Sequence, residues 1–126
     1  MKPIFIFFVL IMLNGCSFLC IKQEVLFSTD KLPTAIVGMA YHSRIQTTNS
    51  IISRIYVEDS KEYSINGLKI ISSVTRNKFG DGEVIISGIP QKEGEFSFHV
   101  QGGTVGTQCP GNEFDAVFKI RVMNKK

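Results

Sequence analysis

The sequence lacks any concentration of charge of one sign. Its 14 Lys and Arg residues stand against 11 Asp and Glu, a formal net charge of +3, and basic residues are scattered between acidic ones. Binding to nucleic acid needs Lys and Arg clustered on one face, so we expect no nucleic-acid partner. The longest unbroken apolar run, Ile4 to Leu13, has ten residues, about half of the ~20 that a bilayer-spanning helix needs.

Residue patterns that carry catalysis are also missing. The two histidines, His42 and His99, form no His-x-x-x-His, and no Cys-x-x-Cys occurs, although zinc sites are usually built from such spacings. No Ser stands in a Gly-x-Ser-x-Gly elbow. The glycines of 102–106 are not followed by the Lys-Ser/Thr of a phosphate-binding loop. We therefore expect no catalytic residue, no metal and no other cofactor, and an enzyme is the least favoured class.

What the sequence does contain begins at its amino terminus. Lys2 precedes the apolar run and Gly15 follows it. A positive start, an apolar stretch and a small residue before a cleavage site are the three parts of a secretory signal peptide. The sequence predicts a signal peptide over residues 1–15 and export of the rest.

The end of this segment is more specific. Leu13-Asn14-Gly15-Cys16 resembles the lipobox of bacterial lipoproteins, in which the cysteine receives a diacylglycerol and becomes the first residue of the mature chain. Asn14 stands where Ala, Ser or Thr is commoner. The resemblance implies lipidation of Cys16; the alternative is ordinary signal cleavage, with Cys16 as an incidental thiol.

The lipobox also implies a location. Two or more acyl chains hold a protein stably on a membrane, and Ser17 resembles the pattern for sorting to the outer membrane more than the Asp that retains lipoproteins at the inner one. We expect a lipid-anchored protein of the bacterial membrane, facing the periplasm from the outer membrane where the source has two membranes. Residues 16–31 would form the lipidated tether and a first strand, and residues 32–126 the domain.

Two thiols remain once Cys16 is lipidated. Cys20 and Cys109 would then face an oxidising compartment, which favours a disulfide between them. That bond would close a loop of about ninety residues, worth roughly 4 kcal/mol from the lost entropy of the unfolded chain. The alternative is two separate thiols, one of which could pair between molecules.

The exported part alternates apolar and polar residues with period two, which indicates β-strands. Five strands are predicted from these patterns, and for four of them the residues of one face are given first and those of the opposite face second. The first two are Met39, Tyr41 and Ile45 opposite His42, Arg44 and Gln46, and Ile51, Ile55 and Val57 opposite Ile52, Arg54 and Tyr56. The others are the short Val84 to Ser87, then Phe96, Phe98 and Val100 opposite Glu95, Ser97, His99 and Gln101, and last Ala116, Phe118, Ile120 and Val122 opposite Val117, Lys119 and Arg121. No segment predicts a long helix.

Turn signals rich in Gly, Pro and Asn separate these runs, among them Asn66-Gly67 and Gly88-Ile89-Pro90. The longest interruption, Gly102 to Glu113, predicts a Gly-rich hairpin loop between the last two strands. About seven short strands at this spacing predict an all-β sandwich or barrel.

Two segments carry a family resemblance. Leu32 to Tyr41 contains a Val-Gly-x-x-Tyr run, and Ile86-Ser87-Gly88-Ile89-Pro90 precedes the strand of Phe96 and Phe98. Both resemble the immunoglobulin-like domains of bacterial surface proteins, relatives of cadherin-like modules, over most of Leu32 to Val122. The family's Leu-Pro-x-Gly-Leu stretch survives only as Asn66-Gly67-Leu68. The resemblance implies a single immunoglobulin-like β-sandwich with an adhesive or scaffolding tendency, and a fold alone does not fix a function.

Two surfaces are candidates for binding. Ile52 and Tyr56, predicted outward, would join Val117 in an apolar strip beside Arg54, His99 and Lys119 if their strands share a sheet. The competing candidate is the start of the Gly-rich loop, because loops on a rigid scaffold often carry recognition; its residues are Gly102, Gly103, Thr104, Val105 and Gly106. In a sandwich of this kind His42 and His99 lie on different sheets and cannot share a metal.

The sequence thus predicts a membrane-anchored lipoprotein that acts as a non-catalytic binding or scaffolding module for an envelope protein partner. The alternative is a periplasmic inhibitor or immunity-type protein that binds a target enzyme through its Gly-rich loop.

Overall fold

Nine β-strands form the secondary-structure elements of the described residues. A computed structural model describes Pro3 and residues 24–48, 50–75, 80–106 and 111–125. The strands are β1 (Leu26–Phe27), β2 (Ala35–Ile36), β3 (Tyr41–Thr48), β4 (Ile52–Val57), β5 (Glu62–Ile65), β6 (Leu68–Val74), β7 (Gly82–Gly88), β8 (Gly94–Thr104) and β9 (Glu113–Met123). Of the predicted signal peptide only Pro3 is described, and Cys16, Cys20 and Cys109 lie outside the described residues.

The strands form two sheets. One has the order β1-β3-β7-β6-β5 and the other β2-β9-β8-β4. Neighbouring strands are antiparallel except β2 and β9, which run parallel. The all-β, two-sheet prediction is confirmed, with nine strands where about seven were expected.

The alternation of β8 and β9 determines how the sheets pack. Phe98 and Val100 of β8 and Phe118 and Ile120 of β9 are buried, whereas the residues between them face solvent. They meet buried side chains of the other sheet, including Ile45, Leu68, Ile70, Val84 and Ile86. Burying a Phe side chain contributes roughly 2–3 kcal/mol, and the predicted inward faces of these two strands are confirmed.

The short first strand is held by an aromatic contact. The Phe27 ring packs edge-on against Phe118 and Phe114, with centroids 5.2 and 5.9 Å away. Such pairs contribute beyond the area that they bury. This contact fixes the point at which the chain enters the sandwich.

Two predicted strand faces are wrong at their first residues. Ile52, expected to face outward, is 2% exposed, whereas Ile51 is 55% exposed. The cause is a β-bulge between Ile52 and Arg54, which shifts the pairing with β8 and turns Ile52 to the core side with Ile55. Met39 is also exposed, because it lies in a turn before β3 that contains Gly38 at φ 77°.

The predicted Gly-rich loop begins later than expected. Gly102, Gly103 and Thr104 belong to β8, and the two glycines pair with Phe114 and Glu113 of β9. A Cβ on Gly102 would stand 2.2 Å from the Arg54 carbonyl oxygen, so this part of the strand requires glycine. Of the predicted candidates only Val105 and Gly106 lie beyond the strand.

The sandwich has two distinct ends. At the Leu26 end, β1, β4 and β9 begin while β3 and β8 end; at the Met123 end, β3 and β8 begin while β7 and β9 end. The described part of the domain begins at Glu24, which is therefore at the Leu26 end of the sandwich.

Candidate functional site

Arg54 lies on the outer face of the four-stranded sheet, on its edge strand β4. It lies on β4 directly opposite Gly103 of β8, which in turn pairs with Glu113 of β9. The guanidinium crosses Gly103, and its Nη2 lies 3.1 Å from Glu113 Oε1. A Cβ on Gly103 would be 2.8 Å from Arg54 Cζ. Because Gly103 has no side chain, the Arg54 side chain can extend across β8 to reach Glu113.

Two open recesses meet at this side chain. One is lined by Arg54, Tyr56, Asp59, Gln101, Gly102, Glu113, Phe114 and Asp115. The other is lined by Ser53, Arg54, Thr104, Val105, Gly106, Gly111, Asn112 and Glu113. Because Arg54 and Glu113 line both, the recesses form one surface, which we call the Arg54 face.

Pairs of oppositely charged side chains lie along the outer side of the four-stranded sheet. Besides Arg54 with Glu113, His99 Nδ1 lies 2.9 Å from Asp115 Oδ1, and Lys119 Nζ lies 3.5 Å from Glu95 Oε1. The hydrogen bond that the His99 ring donates to the Asp115 carboxylate raises the pKa of His99. Exposed pairs of this kind contribute little to stability, so their main effect is to set alternating charge along the surface.

A strained turn borders the Arg54 face. Glu58 and Asp59 link Val57 to Ser60 with φ values of 49° and 61°, in the left-handed region that non-glycine residues seldom adopt. Val57 and Ser60 exchange both backbone hydrogen bonds, of 2.7 and 3.0 Å. The turn is also held from β8, where Gln101 Oε1 accepts from the Asp59 N–H at 3.1 Å.

The structure brings most of the predicted binding residues together. Arg54, Gly102, Thr104, Val105 and Gly106 line the Arg54 face, and Gly103 lies beneath the Arg54 guanidinium. Tyr56 is half-buried there, and Val117 is 52% exposed on β9 of the same sheet. Ile52 does not belong to the surface, because it lies in the core.

The two histidines are far from sharing a site. His42 is on β3 of the five-stranded sheet and His99 on β8 of the four-stranded sheet, and both are exposed. This separation is as predicted. Among the residues that the structure describes, no three His, Cys, Asp or Glu side chains are grouped so as to hold a metal ion.

Sequence reasoning missed Glu113, Asp115 and Gln101 as members of the face. Glu113 and Asp115 alternate with Phe114 and Ala116 in β9, so the period-two pattern of Val117 and Lys119 extends back through them. That extension was the sequence signal from which Glu113 and Asp115 could have been predicted to face outward. It was hidden because the strand was expected to begin at Ala116.

No protein-family model, curated protein or solved structure matches this chain. Within the described ranges, no helix has the length and apolar character needed to cross a membrane.

Proposed function

We propose that this protein is a bacterial lipoprotein whose domain acts as a non-catalytic binding or scaffolding module in the cell envelope. The location rests on the signal-like residues 1–15 and on the lipobox-like Leu13-Asn14-Gly15-Cys16. The binding surface is the Arg54 face.

The strand order supports an immunoglobulin-like identity for the sandwich. In constant-type immunoglobulin domains the first, second, fifth and fourth strands form one sheet and the third, sixth and seventh form the other. Here β1-β3-β7-β6 and β4-β8-β9 have the same order. Strand β5 is then an addition at the edge of the first sheet, and β2 an addition beside β9.

The observation that carries the binding proposal is the meeting of two surfaces at Arg54. Tyr56 of the outward strip and the segment of Gly102, Thr104, Val105 and Gly106 are separate in sequence, yet they line the two recesses that meet at this one guanidinium. Arg and Tyr are enriched at protein interfaces, and a guanidinium offers several donors to a partner carboxylate. The Arg54 side chain is 48% exposed, so it can make such contacts.

Site-specific photo-crosslinking in cells tests this proposal. A photoreactive residue replaces Tyr56 or Val117 in the full-length protein, and the matched control replaces Ile71, which is 39% exposed on the other sheet. We expect one envelope protein to be captured from Tyr56 and from Val117, which is exposed on β9 two residues beyond Asp115 of the Arg54 face, and not from Ile71. We expect Arg54→Ala to reduce that capture. Equal labelling from all three positions, or capture that is indifferent to Arg54→Ala, would refute the binding surface.

The same experiment separates scaffolding from inhibition. The exposed Val105 and Gly106 beside the Arg54 recess favour loop insertion as the second candidate function. A captured enzyme that loses activity when bound in a one-to-one complex would indicate an inhibitor. A captured structural protein would indicate a scaffold.

A further inference from the structure

Three exposed apolar side chains lie at the Leu26 end of the sandwich. Leu26, Ile51 and Val105 are 50%, 55% and 46% exposed. They come from three separate segments at one end of the sandwich: the Val105 N–H donates to the Ile51 carbonyl at 2.9 Å, and Leu26 pairs with Thr48, the last residue of β3. The three side chains are far apart in sequence, and the fold places them at the same end of the domain.

The proposed lipid anchor enters at the same end. Seven residues, 17–23, lie between Cys16 and Glu24; a fully extended chain spans at most about 3.5 Å per residue step, so the eight steps of this connection reach roughly 28 Å. Strand β9 runs from the Leu26 end to the Met123 end over 11 residues, or about 35 Å. The connection is therefore too short for the domain to turn over and present its Met123 end to the bilayer.

Exposure alone would not select the Leu26 end. At the Met123 end Met39 and Ile89 are 49% and 54% exposed, so both ends offer apolar side chains. The length of the connection distinguishes them. The short connection also keeps the domain beside the bilayer. The effective concentration of the bilayer surface near these side chains is then high, and this populates lipid contacts that would be too weak to bind a free protein.

We propose that Leu26, Ile51 and Val105 insert into the interfacial region of the bilayer that holds the lipid anchor. This inference rests on the anchor in the proposed function and adds an orientation to it. The Met123 end then points away from the membrane, and the Arg54 face, to which Val105 belongs, meets its partner at the level of the lipid headgroups.

The sequence contains no tryptophan, which allows a direct test. Leu26→Trp, Ile51→Trp and Val105→Trp each give the full-length acylated protein a single tryptophan at the Leu26 end. Met39→Trp and Ile89→Trp are controls of matched exposure at the Met123 end. Each variant is reconstituted into phosphatidylcholine vesicles with or without brominated acyl chains, after thermal unfolding has shown that it folds.

We expect brominated lipid to quench the three tryptophans of the Leu26 end and their emission to shift to the blue, while the two controls stay unchanged. Intact mass and flotation with vesicles report the anchor separately. Acylated, vesicle-bound protein with no quenching, or with quenching at both ends or only at the Met123 end, overturns the orientation and leaves the anchor standing. Absence of acylation overturns both.

Discussion

The Arg54 guanidinium lies across Gly103 so closely that a Cβ on this glycine would stand 2.8 Å from Cζ and 3.0 Å from each terminal nitrogen. The neighbouring Gly102 faces the opposite side, where an added Cβ would meet the Arg54 carbonyl oxygen at 2.2 Å and the Phe114 ring at 2.7 Å. Adjacent glycines thus accommodate the side chain and the backbone of one arginine.

This arrangement predicts different costs for two alanine substitutions. Gly102→Ala should destabilise the domain by about 1–3 kcal/mol, because neither a strand backbone nor a packed ring can move aside easily. Gly103→Ala should cost less than about 1 kcal/mol, because the end of an exposed arginine can rotate away. Urea unfolding measures both, and equal losses would contradict the account.

The strained turn at Glu58 and Asp59 predicts a stabilising change. Asp59 has φ 61°, where glycine carries no steric penalty, so Asp59→Gly should raise the free energy of unfolding by about 0.5–1 kcal/mol. The control is Lys61→Gly, two residues on, where φ is not positive and added chain entropy should lower stability. A loss at Asp59→Gly would mean that its carboxylate makes a stabilising contact.

The pair of His99 and Asp115 predicts a pH dependence. The hydrogen bond that the His99 ring donates to the Asp115 carboxylate raises the pKa of His99 above its ordinary 6.5, so the folded state binds the proton more tightly than the unfolded state does. The stabilisation is therefore fully present below about 6.5 and is lost as the pH rises through the raised pKa. An NMR titration should show Asp115→Asn lowering the pKa of His99. An unchanged value would show that the pair does not form in solution.

Processing at the lipobox predicts that Cys16→Ala abolishes acylation, because the thiol sulfur is the attachment point. Intact mass and membrane fractionation report the result. Cys20→Ala is the matched control and should stay acylated, because bulky Leu19 precedes it. An acylated, membrane-bound Cys16→Ala protein would disprove the lipoprotein assignment.

The bond between Cys20 and Cys109 stays a prediction, because both cysteines lie outside the described residues. Glu24 and Val25 line an open recess together with Gly111 and Asn112. Glu24 follows Cys20 by four positions and Gly111 follows Cys109 by two, so residues close in sequence to the two cysteines line the same recess. Peptide mapping without reductant should find the two joined. Two alkylatable thiols, or either cysteine joined elsewhere, would disprove the bond.

The sequence predicted β8 and β9 well because each has one apolar and one polar face. It misplaced Ile52 because two adjacent isoleucines offer no means of seeing the bulge that turns the second one inward. Strand β6 was missed although Asn66-Gly67, with φ 52° and 78°, is a strong hairpin signal. Its pattern was masked by Ser72, a buried residue whose Oγ donates to the Ile55 and Lys61 carbonyls at 3.0 and 3.3 Å.

The candidate site was only partly accessible to such reasoning. Alternation placed Tyr56, Val117 and His99 outward, but it does not say which residues of different strands stand opposite each other. The row of Arg54, Gly103 and Glu113 depends on the register of three strands. Register arises from long-range packing, which a linear pattern does not contain.

The position of β9 has a consequence for biogenesis. This strand is synthesised after every other strand of its sheet, yet it stands between β2 and β8 and supplies Phe118, Ile120 and Val122 to the core. In the export that we propose, a chain that crosses the membrane in amino-to-carboxyl order cannot close the sandwich early, since β2 has no neighbour in its sheet until β9 emerges. If the chain is exported as proposed, we therefore expect it to complete its core only after β9 has crossed the membrane.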